Sequence, residues 1–249
     1  FEALTSKSGD YTAWASTLPF KLTHEQINAI EDIKSDLSKD VAAKRMVVGD
    51  VGSGKTMVIL ASAVMMLPHR SILMAPTTIL ANQLFEEAQK YMPNFKSVLV
   101  TNKTKNIDLE EFDFIIGTHA LLYRELPEAA LVMVDEQHRF GTQQRNLLEK
   151  LVSSGDKKPH YLQFSATPIP RTQAMIETAH IDVSLITSTP FEKDITSKVI
   201  HKSDFSDLLL HVKEEIAKNN QVLLVYPLVE QSEFLEYQSI DEARGYWEK

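Results

Sequence analysis

One octapeptide limits what this chain can fold into more than any other stretch: Gly49-Asp50-Val51-Gly52-Ser53-Gly54-Lys55-Thr56. It follows a short apolar run, Met46 to Val48, and opens a second apolar segment, Met57 to Leu67. The spacing is G-x-x-x-x-G-K-T between a predicted strand and a predicted helix, which is the context a phosphate-binding loop requires. Glycine lets the backbone turn tightly enough for successive N–H groups to point inward at phosphate oxygens, and the following helix adds its positive N-terminal end. Gly49, Gly52, Ser53 and Gly54 are thus expected to cradle the phosphates of a nucleotide. Lys55 is expected to reach the β/γ-phosphates, and the Thr56 hydroxyl to hold Mg²⁺. The simpler alternative is a Gly/Ser helix cap with a solvated lysine. It does not account for the strand and helix that flank the loop.

Around this loop the pattern alternates. A helix opens at Leu22-Thr23-His24-Glu25-Gln26 and places Ile27, Ile30, Ile33 and Leu37 at helical spacing. Thr23 and Gln26 satisfy the capping box, so Gln26 has a structural explanation; a glutamine at this place could equally read an adenine edge. Further strands are predicted at 71–74, 97–101, 112–116, 131–134 and 161–164, with helices at about 78–91 and 142–153 between them. Nearly continuous Val, Ile, Leu and Met in each strand implies a parallel sheet covered on both faces. In such sheets ligands lie outside the carboxyl ends of the strands. The polar residues gather there: the phosphate loop, Thr77, Gly117 to His119, Asp135 to His138, and Ser165 to Thr167. Near Ile186 the pattern changes, and Ser188 to Asp194 reads as a linker. A helix from about Phe205 to Asn219 and a strand from Gln221 to Tyr226 would begin another α/β unit.

Composition narrows the class. Of 249 residues, 43% are hydrophobic and 24% charged, and the longest apolar run is too short to span a membrane. There is no cysteine, which removes disulfides and thiolate-ligated zinc and agrees with a reducing, cytoplasmic setting. Eight histidines lie scattered, with no i, i+4 pair to seed a metal site. The net charge of −8 disfavours nucleic acid at face value, yet about half of that excess lies between Glu230 and Lys249, leaving room for a basic groove elsewhere. The start at Phe1, with no signal-like segment and no initiator Met, reads as a piece of a longer protein.

Asp135 follows four apolar residues and is expected to hold the Mg²⁺ shell opposite Thr56. Glu136 beside it is suited to polarise an attacking water, which makes the expected reaction hydrolysis. Gln137, His138, Ser165 and Thr167 sit where they could couple the γ-phosphate to the far side of a cleft; turn-forming and capping roles explain them as well.

Gln26, the GDVGSGKT loop, MAPTTILANQ (Met74 to Gln83), IIGTHALL (Ile115 to Leu122), VDEQHRFG (Val134 to Gly141) and SATPIPRT (Ser165 to Thr172) occur in that order. As an ordered set they resemble the motifs of superfamily 2 helicases, and more narrowly the bacterial RecG branch-migration family. VYPLVEQSE (Val225 to Glu233) is similar to the opening of that family's second motor domain. The transcription-repair coupling translocases are the nearest alternative, and a nucleotide-dependent partner-binding module is a reading from another class.

The resemblance implies a RecA-like P-loop NTPase with a three-layer α/β fold and the truncated start of a second α/β unit. It divides the chain into a connector (1–20), a first motor domain (21–187), and a linker with the start of the second (188–249). It further implies an adenine-reading Gln26, a cytoplasmic monomer without membrane attachment, and branched double-stranded DNA as partner. Thr77, Gln83, Thr118 and His119 fall in segments that touch DNA in such motors. Arg139, Arg145 and Arg171 are candidates for backbone or domain contacts. Neither the family's N-terminal wedge nor its later motifs, including an arginine finger, are found in these 249 residues. A finger contributes about 10³ to 10⁵ in turnover at related sites, so these residues alone are expected to bind ATP and hydrolyse it poorly.

Overall fold

The computed structural model describes residues 1–105, 107–136, 147–148, 150–153, 155–166, 181–188, 195–201 and 204–226. They fall into two compact units, Phe1–Glu192 and Lys193–Lys249.

The first unit is built on seven strands: β1 (Lys44–Gly49), β2 (Ser71–Met74), β3 (Ser97–Val100), β4 (Phe114–Gly117), β5 (Leu131–Asp135), β6 (His160–Ser165) and β7 (Asp182–Ile186). Every pairing is parallel, and the order across the sheet is β3-β4-β2-β5-β6-β1-β7. Continuous apolar strands nevertheless separate their side chains by alternation. Leu73, Phe114, Ile116, Leu131, Met133, Leu162 and Phe164 join one buried cluster, while Ile72, Met74, Ile115, Val132, Val134 and Tyr161 join another. The first cluster is sealed by α2 (His24–Leu37), α3 (Lys55–Met66) and α4 (Thr78–Tyr91). The second is covered in part by Leu148 and Val152, so apolar side chains lie on both faces of the sheet.

Helix α3 is buried almost all round beyond its first turn, as its sequence, apolar from Met57 onward but for Ser62, requires. Helix α2 is amphipathic: Ala29, Ile30, Ile33 and Leu37 are buried, whereas Ile27, expected in the core stripe, is 39% exposed. It sits in the first turn of the helix.

The N-terminal connector packs on this body. Its short helix α1 (Thr12–Ala15) buries Trp14, whose indole Nε1–H donates to the Tyr91 carbonyl at 2.8 Å. Residues 2–4 lie against Val41 and Lys158. His160, fully buried at the start of β6, accepts the Ala43 N–H at Nδ1 (3.2 Å) and faces the Thr5 carbonyl with Nε2 at 2.8 Å.

Strand β7 was not anticipated from the sequence. Its pattern is mixed because it is an edge strand: Asp182, Val183 and Leu185 are exposed, and an inward polar residue, Ser184, replaces an apolar one. Ser184 is held by a charged cluster. The Arg45 guanidinium donates to Ser184 Oγ (2.9 Å) and to Asp36 (2.6 Å), and Ser184 donates to Asp32 (2.7 Å). Asp36 is 1% exposed, a burial that such pairing permits.

In the second unit, helix α5 (Phe205–Ala217) forms where helical spacing predicts it. The strand expected at 221–226 does not form: those residues carry no ladder, and Leu223 and Val225 stand more than 80% exposed. β-propensity alone does not make a strand without a hydrogen-bonded neighbour.

Candidate nucleotide site

The strand order brings the candidate residues together. β6 lies between β1 and β5, with Val48 opposite Ser165 and Asp135 opposite Phe164, so three strand ends meet at one edge. The phosphate loop leaves β1, Asp135 and Glu136 leave β5, and Ser165 and Ala166 leave β6.

Within the loop, Gly52 (φ 84°) and Gly54 (φ 81°) adopt the left-handed backbone that only glycine takes without strain. The space beside two glycines is filled by neighbours. A Cβ on Gly54 would lie 2.1 Å from Gln26 Nε2, and one on Gly49 would lie 2.5 Å from Ser53 Oγ. Ser53 is fully buried and its hydroxyl has no hydrogen-bond partner among the described residues. Helix α3 begins at Lys55 with no side-chain cap, which leaves its first N–H groups for a ligand.

Lys55 turns its ammonium onto the loop, donating to the carbonyls of Gly49 (2.6 Å) and Asp50 (3.3 Å). Burial pushes its pKa down, and the carboxylates of Asp135, Glu136 and Asp50 pull against that shift. Thr56 is half-buried in the first turn of α3. A lysine amid three carboxylates, beside open helix N–H groups, is a donor set that suits a nucleotide's polyphosphate with a divalent cation.

Gln26 forms the expected capping box, and its amide also reaches the phosphate loop. Its Oε1 accepts the Thr23 N–H (2.9 Å) while Thr23 Oγ1 accepts the Gln26 N–H (3.2 Å), completing the capping box. Its Nε2 donates to the Ser53 carbonyl at 2.8 Å, tying the start of α2 to the loop.

Asp135 is buried and accepts the Glu136 N–H at 3.1 Å. Glu136 takes a left-handed φ of 50°, unusual outside glycine, and its Oε1 accepts the Ala166 N–H at 3.1 Å. That strained turn brings the carboxylate to the end of β6. Ser165, the last residue of β6, is 5% exposed.

The remaining candidates are placed less uniformly. Thr77 and Thr118 cap α4 and the 3-10 turn His119–Tyr123, accepting the N–H groups of Leu80 (3.2 Å) and Ala120 (3.3 Å); Thr118 is buried. Gln83 and His119 are exposed. Gln137, His138, Thr167, Arg139, Arg145 and Arg171 lie outside the described residues.

One contributor escaped the sequence. Glu25, beside Gln26, accepts the Thr187 hydroxyl (2.7 Å), the Ser188 N–H (2.6 Å) and the Ser188 hydroxyl (2.9 Å). The Ser188 N–H foremost, then the two hydroxyls, hold its carboxyl down at about 2. An acidic residue in a helix's first turn reads from sequence only as a complement to the helix dipole.

Comparison with known proteins agrees with this geometry. The DEAD/DEAH box helicase family model matches residues 23–176. The ATP-dependent DNA helicase RecG of Helicobacter pylori is 50% identical over 245 residues, covering 95% of this chain and 39% of that protein. RecG of Aquifex aeolicus is 38% identical, covering 93% and 31%. A solved structure of RecG bound to a three-way DNA junction aligns with a TM-score of 0.77 at 26% identity, over 99% of this chain and 34% of that one. The chain thus spans about two fifths or less of the length of these curated relatives. The ordered motifs, the seven-stranded parallel sheet and a family match across more than half of its length show that the chain belongs to the DEAD/DEAH box helicases.

Proposed function

We propose that the chain is the nucleotide-binding motor part of an ATP-dependent DNA helicase of the RecG type, acting on branched double-stranded DNA such as stalled forks and four-way junctions. The observation that carries this is that the loop bearing Lys55 and the carboxylates Asp135 and Glu136 leave β1 and β5 on either side of β6, with the Glu136 carboxylate held by Ala166 N–H. The RecG relatives and the junction-bound RecG structure point to the substrate.

In this reading Lys55 leaves the Gly49 and Asp50 carbonyls to meet phosphate, and the N–H groups of the loop and of α3 cradle the same oxygens. Thr56 and Asp135 would hold Mg²⁺, which supplies charge neutralisation at the β- and γ-phosphates when bound. Glu136 orients a water and takes its proton as hydrolysis proceeds. Gln26 turns toward the adenine edge. Gln137, His138, Ser165 and Thr167 couple the site to the second motor unit, and Thr77, Gln83, Thr118 and His119 belong to the segments that meet DNA. Residues 21–187 form the first motor domain and 188–249 the linker and the start of the second. A monomeric, cytoplasmic protein belongs to the same proposal, as does slow turnover by these 249 residues alone.

The test is binding of a fluorescent ATP analogue by the chain in Mg²⁺ buffer, with hydrolysis followed in the same samples with and without forked DNA. Binding with little, DNA-insensitive turnover agrees with the proposal. No binding would overturn the site, and brisk DNA-stimulated turnover would overturn the account of what a second motor domain supplies.

A further inference from the structure

The first turn of α2 holds two parts of the molecule at once. Through Gln26 it holds the phosphate loop, with Nε2 donating to the Ser53 carbonyl at 2.8 Å. Through Glu25, the preceding residue, it holds Thr187 and Ser188 with three hydrogen bonds of 2.6–2.9 Å. Those two residues are where the chain leaves β7, only a few positions before the second unit begins at Lys193. The exit is also fastened directly to the loop. Ile186 pairs with Gly49, and its carbonyl lies 3.2 Å from where a Cβ on Gly49 would be.

Gln26 is 3% exposed, and both polar atoms of its amide are engaged. A ligand that touches this amide, or that draws Ser53 and Lys55 into a new loop shape, must shift either the Ser53 bond or the capping box at Thr23. Each shift acts on the turn that carries Glu25, because Glu25 lies between Thr23 and Gln26, the two members of that box, in the first turn of α2. The Arg45, Asp32, Asp36 and Ser184 cluster meanwhile ties the body of α2 to β1 and β7, confining the displacement to the helix start and the exit it grips.

We propose that Glu25 is a positioning residue that carries the state of the phosphate loop to the exit of the chain from the sheet, by gripping Thr187 and Ser188 in one loop state and releasing or re-seating them in the other. It touches neither nucleotide nor metal. The proposal rests on the nucleotide site described above, and it adds a residue whose substitution separates binding from its mechanical consequence.

The test exploits the absence of native cysteine. A nitroxide is attached at Ile195→Cys, an exposed position (73%) just past the exit, in the full chain. Its spectrum is recorded without nucleotide and with saturating Mg-ADP, and affinity is measured on the same samples. The expected result is a nucleotide-dependent change in label mobility that Glu25→Ala abolishes while affinity stays within a factor of about five, the low end of typical coupling. Glu25→Gln, which retains an acceptor oxygen, restores part of the response. An equal response in Glu25→Ala, or no response in the unaltered chain with nucleotide bound, overturns the proposal. Failure of the unaltered chain to bind nucleotide is read separately from the affinity, and it would overturn the site reading and this proposal with it.

Discussion

The side-chain amide of Gln26 donates from Nε2 to the Ser53 carbonyl at 2.8 Å, across the place where a side chain on Gly54 would stand. The glycine is therefore required twice, once for its backbone and once for its neighbour. With φ at 81° and a would-be Cβ 2.1 Å from that nitrogen, Gly54→Ala forces the loop and the helix start apart. We expect a loss of about 2 kcal/mol in stability together with weakened nucleotide binding, from left-handed backbone strain and a disturbed cap. Thermal unfolding in parallel with nucleotide titration checks this. An unchanged melting temperature would show that the loop accommodates the methyl group.

Among the described residues, Lys55 donates to Gly49 and Asp50 and is attracted to nearby carboxylates. Lys55→Ala should therefore leave the fold intact and lower Mg-ATP affinity by at least about tenfold, the value of one charge-assisted contact. Equilibrium titration with circular dichroism as a fold control decides it. Unchanged affinity would remove Lys55 from the site.

Glu136→Gln separates structure from chemistry. The amide oxygen can still accept the Ala166 N–H, so the strained turn after β5 should survive. A glutamine cannot take a proton from water. In the full-length protein we expect unchanged nucleotide binding and a fall in hydrolysis of about 10² to 10⁴. Turnover near that of the unaltered enzyme would send the search for the base elsewhere.

His160 makes stability depend on pH. Its burial at the start of β6 lowers its pKa from 6.5, outweighing the opposing pull of the Thr5 carbonyl. Its Nδ1 accepts the Ala43 N–H, so a proton there would set two N–H groups against each other. The folded state thus prefers the neutral ring. The stabilisation is fully present above the unfolded value of 6.5 and is lost as pH falls below it. Urea unfolding between about pH 7.5 and 5.5 should show a decline that His160→Gln flattens. Parallel pH profiles for the two proteins would rule this out.

Much of the architecture was legible because it is written locally. The spacing from Gly49 to Thr56, the capping box at Thr23 and Gln26, the continuous apolar strands and the carboxylates after Val134 all lie within a few residues of one another. Periodicity, capping and turn chemistry act over that range. Helices α2 and α4 and strands β1 to β6 formed where such signals placed them. The failures share a cause as well. β7 is held by a polar contact from Arg45 and so lacks the apolar signature of a strand, while residues 221–226 have the signature but carry no strand ladder among the described residues.

What the sequence alone determined is a chain that must turn at 49–56, bury strands in parallel and present its polar residues at their carboxyl ends. Only the tertiary structure decided which ends adjoin. It placed β6 between β1 and β5, set Glu136 against Ala166 thirty residues away, and set Glu25 against Ser188 at a separation of 163. Strand order depends on how crossover helices pack over the whole sheet, and a hydrogen bond between distant residues depends on that order. No window of neighbouring residues contains either.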